Sequence, residues 1–150
     1  MKQKMQFDGI SILTPPDWFD ITDDLEGESV PFTVARGEHG VGALQFSTAL
    51  YSSGKDPAVT LMDLLELLED FRKKRGLASG REQIAAQEGL KIAAASFPSA
   101  NQFLRVWYGS DGKNLVFVTY TSSANDDFRE EVIDSDEIVK SIRFAGKEGG

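Results

Sequence analysis

A chain of 150 residues fits one domain of ordinary size and can bury roughly 70% of the surface its unfolded form exposes. It has no cysteine, which excludes disulfides, thiolate catalysis and zinc–thiolate sites and suits a reducing compartment. Sixteen basic against twenty-four acidic residues leave a formal charge of −8, a balance that repels phosphate backbones and anionic membrane surfaces and argues against nucleic acid as a partner.

The opening MKQKMQFDGISIL has no apolar signal region, and no later stretch approaches the ~20 apolar residues of a membrane span, so the expected location is the cytoplasm. Phe7 to Leu13, with Ile10, Ile12 and Leu13, reads as a first strand. It stops at Pro15-Pro16, where fixed φ and missing N–H groups end ladder pairing. Ser29–Arg36 and Ala43–Tyr51 alternate apolar and smaller or polar residues, and the GEHGVG between them reads as a hairpin turn in which Gly37, Gly40 and Gly42 supply positive φ.

Leu61, Leu64, Leu65, Leu68 and Phe71 recur at helical spacing, predicting an amphipathic helix that starts at Asp56-Pro57 or Thr60. Lys73, Lys74 and Arg75 complement its dipole, and Gly76 permits a left-handed stop. The alanine-rich stretch 81–97 is ambiguous, and its second half is assigned to a strand. Phe103–Tyr108 and Leu115–Thr121 flank a Gly109-Ser-Asp-Gly112 turn and are apolar on both faces, which predicts central strands covered on both sides. Trp107 and Tyr108 then point to opposite faces, both into core. Asn125 or Asp126 can cap a final helix anchored by Ile133, Ile138, Val139 and Ile142, with Ser135-Asp136 as a possible break. The organisation is one domain, 1–144, followed by a tail, 145–150, with nothing to bury.

Catalytic motifs are missing. His39 is the only histidine and falls in the GEHG turn, where a surface role is expected. There is no G-x-S-x-G elbow and no phosphate-binding glycine loop. Carboxylates abound, but nothing selects a catalytic pair. Asp134-Ser-Asp136 lacks the glycine and terminal glutamate of a calcium loop and reads as a helix end with solvated acids. No catalytic residue, metal ligand or cofactor is assigned.

Thirteen of the twenty-four acids lie in two windows, 17–28 and 126–137. They read either as solvated surface or as a docking face for a basic protein, which clustered carboxylates would steer and grip. Trp18 and Phe19 lie beside the first window; exposed, the pair would form an interface anchor, whereas a Trp after strand-ending prolines more often folds back over the sheet. The candidate partner-binding residues are therefore Asp17, Trp18, Phe19, Asp23, Asp24, Asp126, Asp127 and Glu130.

Taken in order, FDGISILTPPDWFD, a GALQFS strand, the Leu-rich helix, FLRVWY, LVFVTYT and the closing DEIVKSIRF resemble the PsbP-like superfamily over nearly the whole chain. That group includes PsbP, a Ran-binding nuclear import factor, DcrB-type proteins and proteins associated with type VI secretion toxins. The resemblance implies an α+β fold, an antiparallel sheet of about six strands with helices on both faces, and a role in binding other proteins. The reading is a non-catalytic protein-binding domain, an immunity protein or adaptor that engages a toxin or secreted effector through its acidic face. The alternatives are a small hydrolase or lipid- or small-molecule-binding protein with a pocket in the sheet layers, and a structural subunit.

Overall fold

The computed structural model describes residues 2–7, 9–25, 27, 30–37, 40–49, 57–78, 81–87 and 89–144, the stretch 81–87 as backbone. His39, Asp56 and the tail 145–150 lie outside the described residues.

The amino-terminal apolar run forms two strands. Gly9, at φ 81°, turns β1 (Gln3–Phe7) into β2 (Ile10–Thr14), so the single strand expected over 7–13 is a hairpin. After the prolines come β3 (Trp18–Asp20) and a 3-10 turn at Thr22–Asp24, then β4 (Phe32–Arg36) and β5 (Gly42–Ala49), the expected hairpin. Its glycines act differently from the expectation, because none of the three takes a positive φ. They are needed for close approach: a Cβ on Gly42 would lie 2.5 Å from the Tyr120 ring and from the Thr121 carbonyl, and one on Gly40 would enter the Arg36 carbonyl.

Helix α1 (Leu61–Lys74) begins at Thr60, whose hydroxyl accepts from Asp63 N while Asp63 accepts from Thr60 N, a complete capping box. Gly76, at φ 64°, ends it. Its buried stripe of Leu64, Leu68 and Phe71 contributes about 1.5–3 kcal/mol per side chain.

The ambiguous 81–97 stretch is a hairpin, β6 (Arg81–Gln87) and β7 (Leu90–Pro98), with Gly89 at φ 80° as its turn. Strands β8 (Gln102–Ser110) and β9 (Leu115–Ser123) follow. Helix α2 (Arg129–Lys140) is continuous through Ser135-Asp136 and starts at Phe128 without a side-chain cap, where Asn125 or Asp126 was expected. The short β10 (Arg143–Phe144) closes the described chain.

Every pairing is antiparallel. A main sheet runs β3-β4-β5-β9-β8-β7-β6, in effect six strands extended by the three-residue β3, and a small sheet runs β1-β2-β10. Alternation along β8 assigns its two faces: Leu104, Val106 and Tyr108 pack in the cluster of α1, while Phe103 and Trp107 pack in the cluster that holds Ile138, Val139 and Ile142 of the α2 end together with Ile10 and Ile12 of β2. The helices therefore lie on opposite faces of the main sheet, and the small sheet shares the α2 side. Ile133, expected as an anchor, is 64% exposed because it falls off the inward stripe Glu131, Ser135, Ile138 and Ile142.

Candidate partner-binding face

The register of β3 against β4 sets Trp18 opposite Arg36 and leaves Asp17 just before the strand. Arg36 then reaches both acidic windows. Its Nε donates to Asp17 Oδ2 at 3.0 Å and an Nη donates to Glu130 Oε2 at 3.0 Å. The two carboxylates hold the Arg36 guanidinium above its usual pKa, Asp17 contributing first. One partly buried cation thus joins residues 113 apart in sequence across the end of β4 and the start of α2. Both acids are exposed, so the pairing fixes geometry more than it adds stability.

The two expected aromatics separate. Trp18 is fully buried, its Nε1 donating to Asp134 Oδ2 at 3.0 Å, so its side chain offers a partner nothing and instead ties the first window to α2. That corrects its assignment as a contact residue. Phe19, the next residue on the strand, points the other way and is 52% exposed, against Gly37, where a Cβ would come within 2.9 Å of its ring. Asp23 and Asp24 are exposed in the 3-10 turn. Asp126 is exposed, and Asp127, also exposed, pairs with Arg129, whose hydrogen bond holds its carboxyl below the usual range.

Behind this face is a set of polar contacts that sequence reasoning passed over. Glu131 is 1% exposed; its Oε1 accepts from Tyr120 Oη at 2.8 Å and Gly42 N at 3.0 Å, and its Oε2 accepts from Val41 N at 2.8 Å. Burial, then the bond to Glu131, drives the Tyr120 hydroxyl well above its ordinary pKa. Arg105, 4% exposed, donates to Asp136 Oδ1 at 2.9 Å and to Ser96 Oγ at 2.9 Å, and Trp107 Nε1 donates to the same Asp136 oxygen at 3.0 Å. Asp134 and Asp136, read as solvated acids, each accept a tryptophan N–H and hold α2 to the sheet. The spacing of Glu131 four and seven residues before Ser135 and Ile138 was the available signal: it sits on the apolar stripe.

Glu131, Asp134 and Asp136 of α2 are thus committed as acceptors between elements, a structural use that competes with acid–base chemistry. Among the described residues no group of three or more His, Asp or Glu side chains gathers as a metal site. No described helix is long and apolar enough to cross a membrane.

Solved structures share this architecture. A point mutant of the protein Mog1 superposes with a TM-score of 0.61 at 10% identity, covering 99% of this chain and 98% of that one. The solution structure of cyanobacterial PsbP (CyanoP) from Synechocystis gives 0.59 at 16% identity, over 95% and 92%. The fold is PsbP-like. A crystal structure from Bacteroides thetaiotaomicron gives 0.57 at 14% identity, covering 93% of this chain and 46% of that one. No family model matches the chain, and no curated protein matches it in sequence. At these identities the likeness extends to the PsbP-like fold alone, whose two-sided sheet agrees with the strands read as apolar on both faces.

Proposed function

We propose that the chain is a non-catalytic protein-binding domain whose partner docks where the two acidic windows meet at Arg36. The observation that carries this reading is the bridge Asp17–Arg36–Glu130, which draws acids from both windows to the end of β4, near the exposed ring of Phe19 on the paired strand. An aromatic anchor ringed by charge is the composition of an interface centre, and carboxylates at its border would speed encounter with a cationic partner. The protein-binding role implied by the PsbP-like resemblance points the same way.

The partner is a basic protein. In the finer form of this reading it is a toxin or secreted effector, the chain being a cytoplasmic immunity protein or adaptor in a bacterium. Phe19→Ser and the triple reversal Asp23→Lys, Asp24→Lys, Asp126→Lys test the face, since none of these side chains holds the core. Each is expected to weaken a cognate complex without lowering the unfolding midpoint. A complex unaffected by both would overturn the proposal.

A further inference from the structure

The α1 side of the main sheet carries a second feature, away from the acidic face. Helix α1 packs on β7 and β8, and the sheet beyond it changes character. Under the helix the residues are Ala93, Ala95, Val106 and Phe97. Across β9 and β5 the same face presents Thr119, Thr121, Gln45 and Ser47, which alternate with Val118, Tyr120, Leu44 and Phe46 of the other face. Between this polar floor and the helix lies an open groove of about 320 Å³, lined also by Leu104 and Phe117 of the sheet and by Phe71 and Arg75 at the end of the helix.

Three properties distinguish the groove from an ordinary solvated sheet face. The Arg75 guanidinium carbon lies 4.6 Å from the centre of the Phe71 ring, a cation–π contact that holds the charge beside the groove. Thr119, Thr121 and Ser47 have no side-chain hydrogen-bond partner among the described residues, although both threonines are half-buried, and Gln45 uses only its amide N–H, toward Thr33. The last turn of α1 is basic, Arg72, Lys73 and Lys74 preceding Arg75, in a chain whose charge is otherwise strongly negative.

We infer that this groove binds a small organic anion with a flat apolar body: its carboxylate on Arg75, its ring against Phe71 and Phe117, and any hydroxyl substituents on the Thr119, Thr121 and Gln45 floor. The volume is at the lower end of small-molecule sites, and an apolar wall with a few convergent polar groups is their usual construction. A guanidinium at the groove, with its several N–H donors, suits a carboxylate.

Naphthalene-2-carboxylate and its neutral analogue naphthalene-2-methanol serve as probes in NMR titrations of the ¹⁵N-labelled full chain. The carboxylate should bind about fivefold more tightly than the alcohol, the scale of one partly exposed charge contact, with shifts centred on Gln45, Ser47, Thr119 and Thr121. Arg75→Gln, at an exposed position, should bring the two affinities together while leaving the alcohol's unchanged. Equal affinities in the wild type, a preference that survives Arg75→Gln, no saturable binding of either probe, or shifts centred instead on the groove of Lys4, Gln6 and Arg143 over the small sheet would each overturn the assignment.

Discussion

Tyr120 on β9 donates its hydroxyl to Oε1 of Glu131 on α2 over 2.8 Å, and the pair is buried. The same carboxylate takes the backbone N–H groups of Val41 and Gly42 where the chain enters β5. One side chain thus fixes a helix, a central strand and a hairpin relative to each other, and it sits one residue from Glu130, the acid that reaches Arg36. Replacing it by Gln would turn an amide N–H toward backbone donors. Glu131→Gln is expected to cost about 2–4 kcal/mol and Tyr120→Phe about 1–2 kcal/mol, read from urea midpoints.

Gly42→Ala tests the same junction from the backbone side. Its Cβ would press on the Tyr120 ring and on the Thr121 carbonyl, and neither can yield without losing a ladder or buried hydrogen bond. A loss of more than about 2 kcal/mol is expected. At Gly112, where a Cβ meets nothing but φ is 104°, the cost of Ala comes from backbone strain alone, about 1–3 kcal/mol.

The two tryptophan contacts of α2 differ in how many donors each carboxylate satisfies. Asp136 accepts from both Arg105 and Trp107, so Asp136→Ala strands a buried guanidinium and is expected to cost about 2–4 kcal/mol. Asp134→Ala leaves the single buried Trp18 N–H without its acceptor, at about 1–3 kcal/mol. Thermal unfolding of the two variants orders them.

Alkali should loosen the fold through its tyrosines. Burial raises the pKa of Tyr108, and burial with the Glu131 contact raises that of Tyr120 further. A phenol whose folded pKa exceeds its unfolded value binds its proton more tightly when folded. Its stabilisation is therefore complete below the unfolded value of about 10 and is lost as pH rises above it. Stability should fall from about pH 10 upward, and Tyr120→Phe should flatten that decline in pH-dependent urea titrations.

Local chemistry explains which parts of this architecture were legible in the sequence. Helix α1 was readable because stripe, cap and stop agree at Thr60, Leu64, Leu68 and Gly76, and β8 and β9 because β-branched and aromatic residues flank a glycine turn. The β6–β7 hairpin was half-hidden: alanine discriminates poorly between helix and strand, and Gly89 read as an interruption is a turn at φ 80°. Gly9 was overlooked in the same way. At the candidate face, the acidic windows were visible, but their meeting depends on Arg36, whose partners lie 19 and 94 residues away. Glu131 went unnoticed because a glutamate among six other acids reads as solvated, and only its place on the Ser135–Ile138–Ile142 stripe marks it as inward.

The most direct test of the binding proposal is parallel affinity capture from the native host with tagged wild type and the Asp23→Lys, Asp24→Lys, Asp126→Lys variant, at low and high salt, with the retained proteins identified by mass spectrometry. The account predicts a basic protein held by the wild type at low salt and lost both at high salt and with the variant. A partner retained equally by the variant, or no protein partner at either salt, would contradict it.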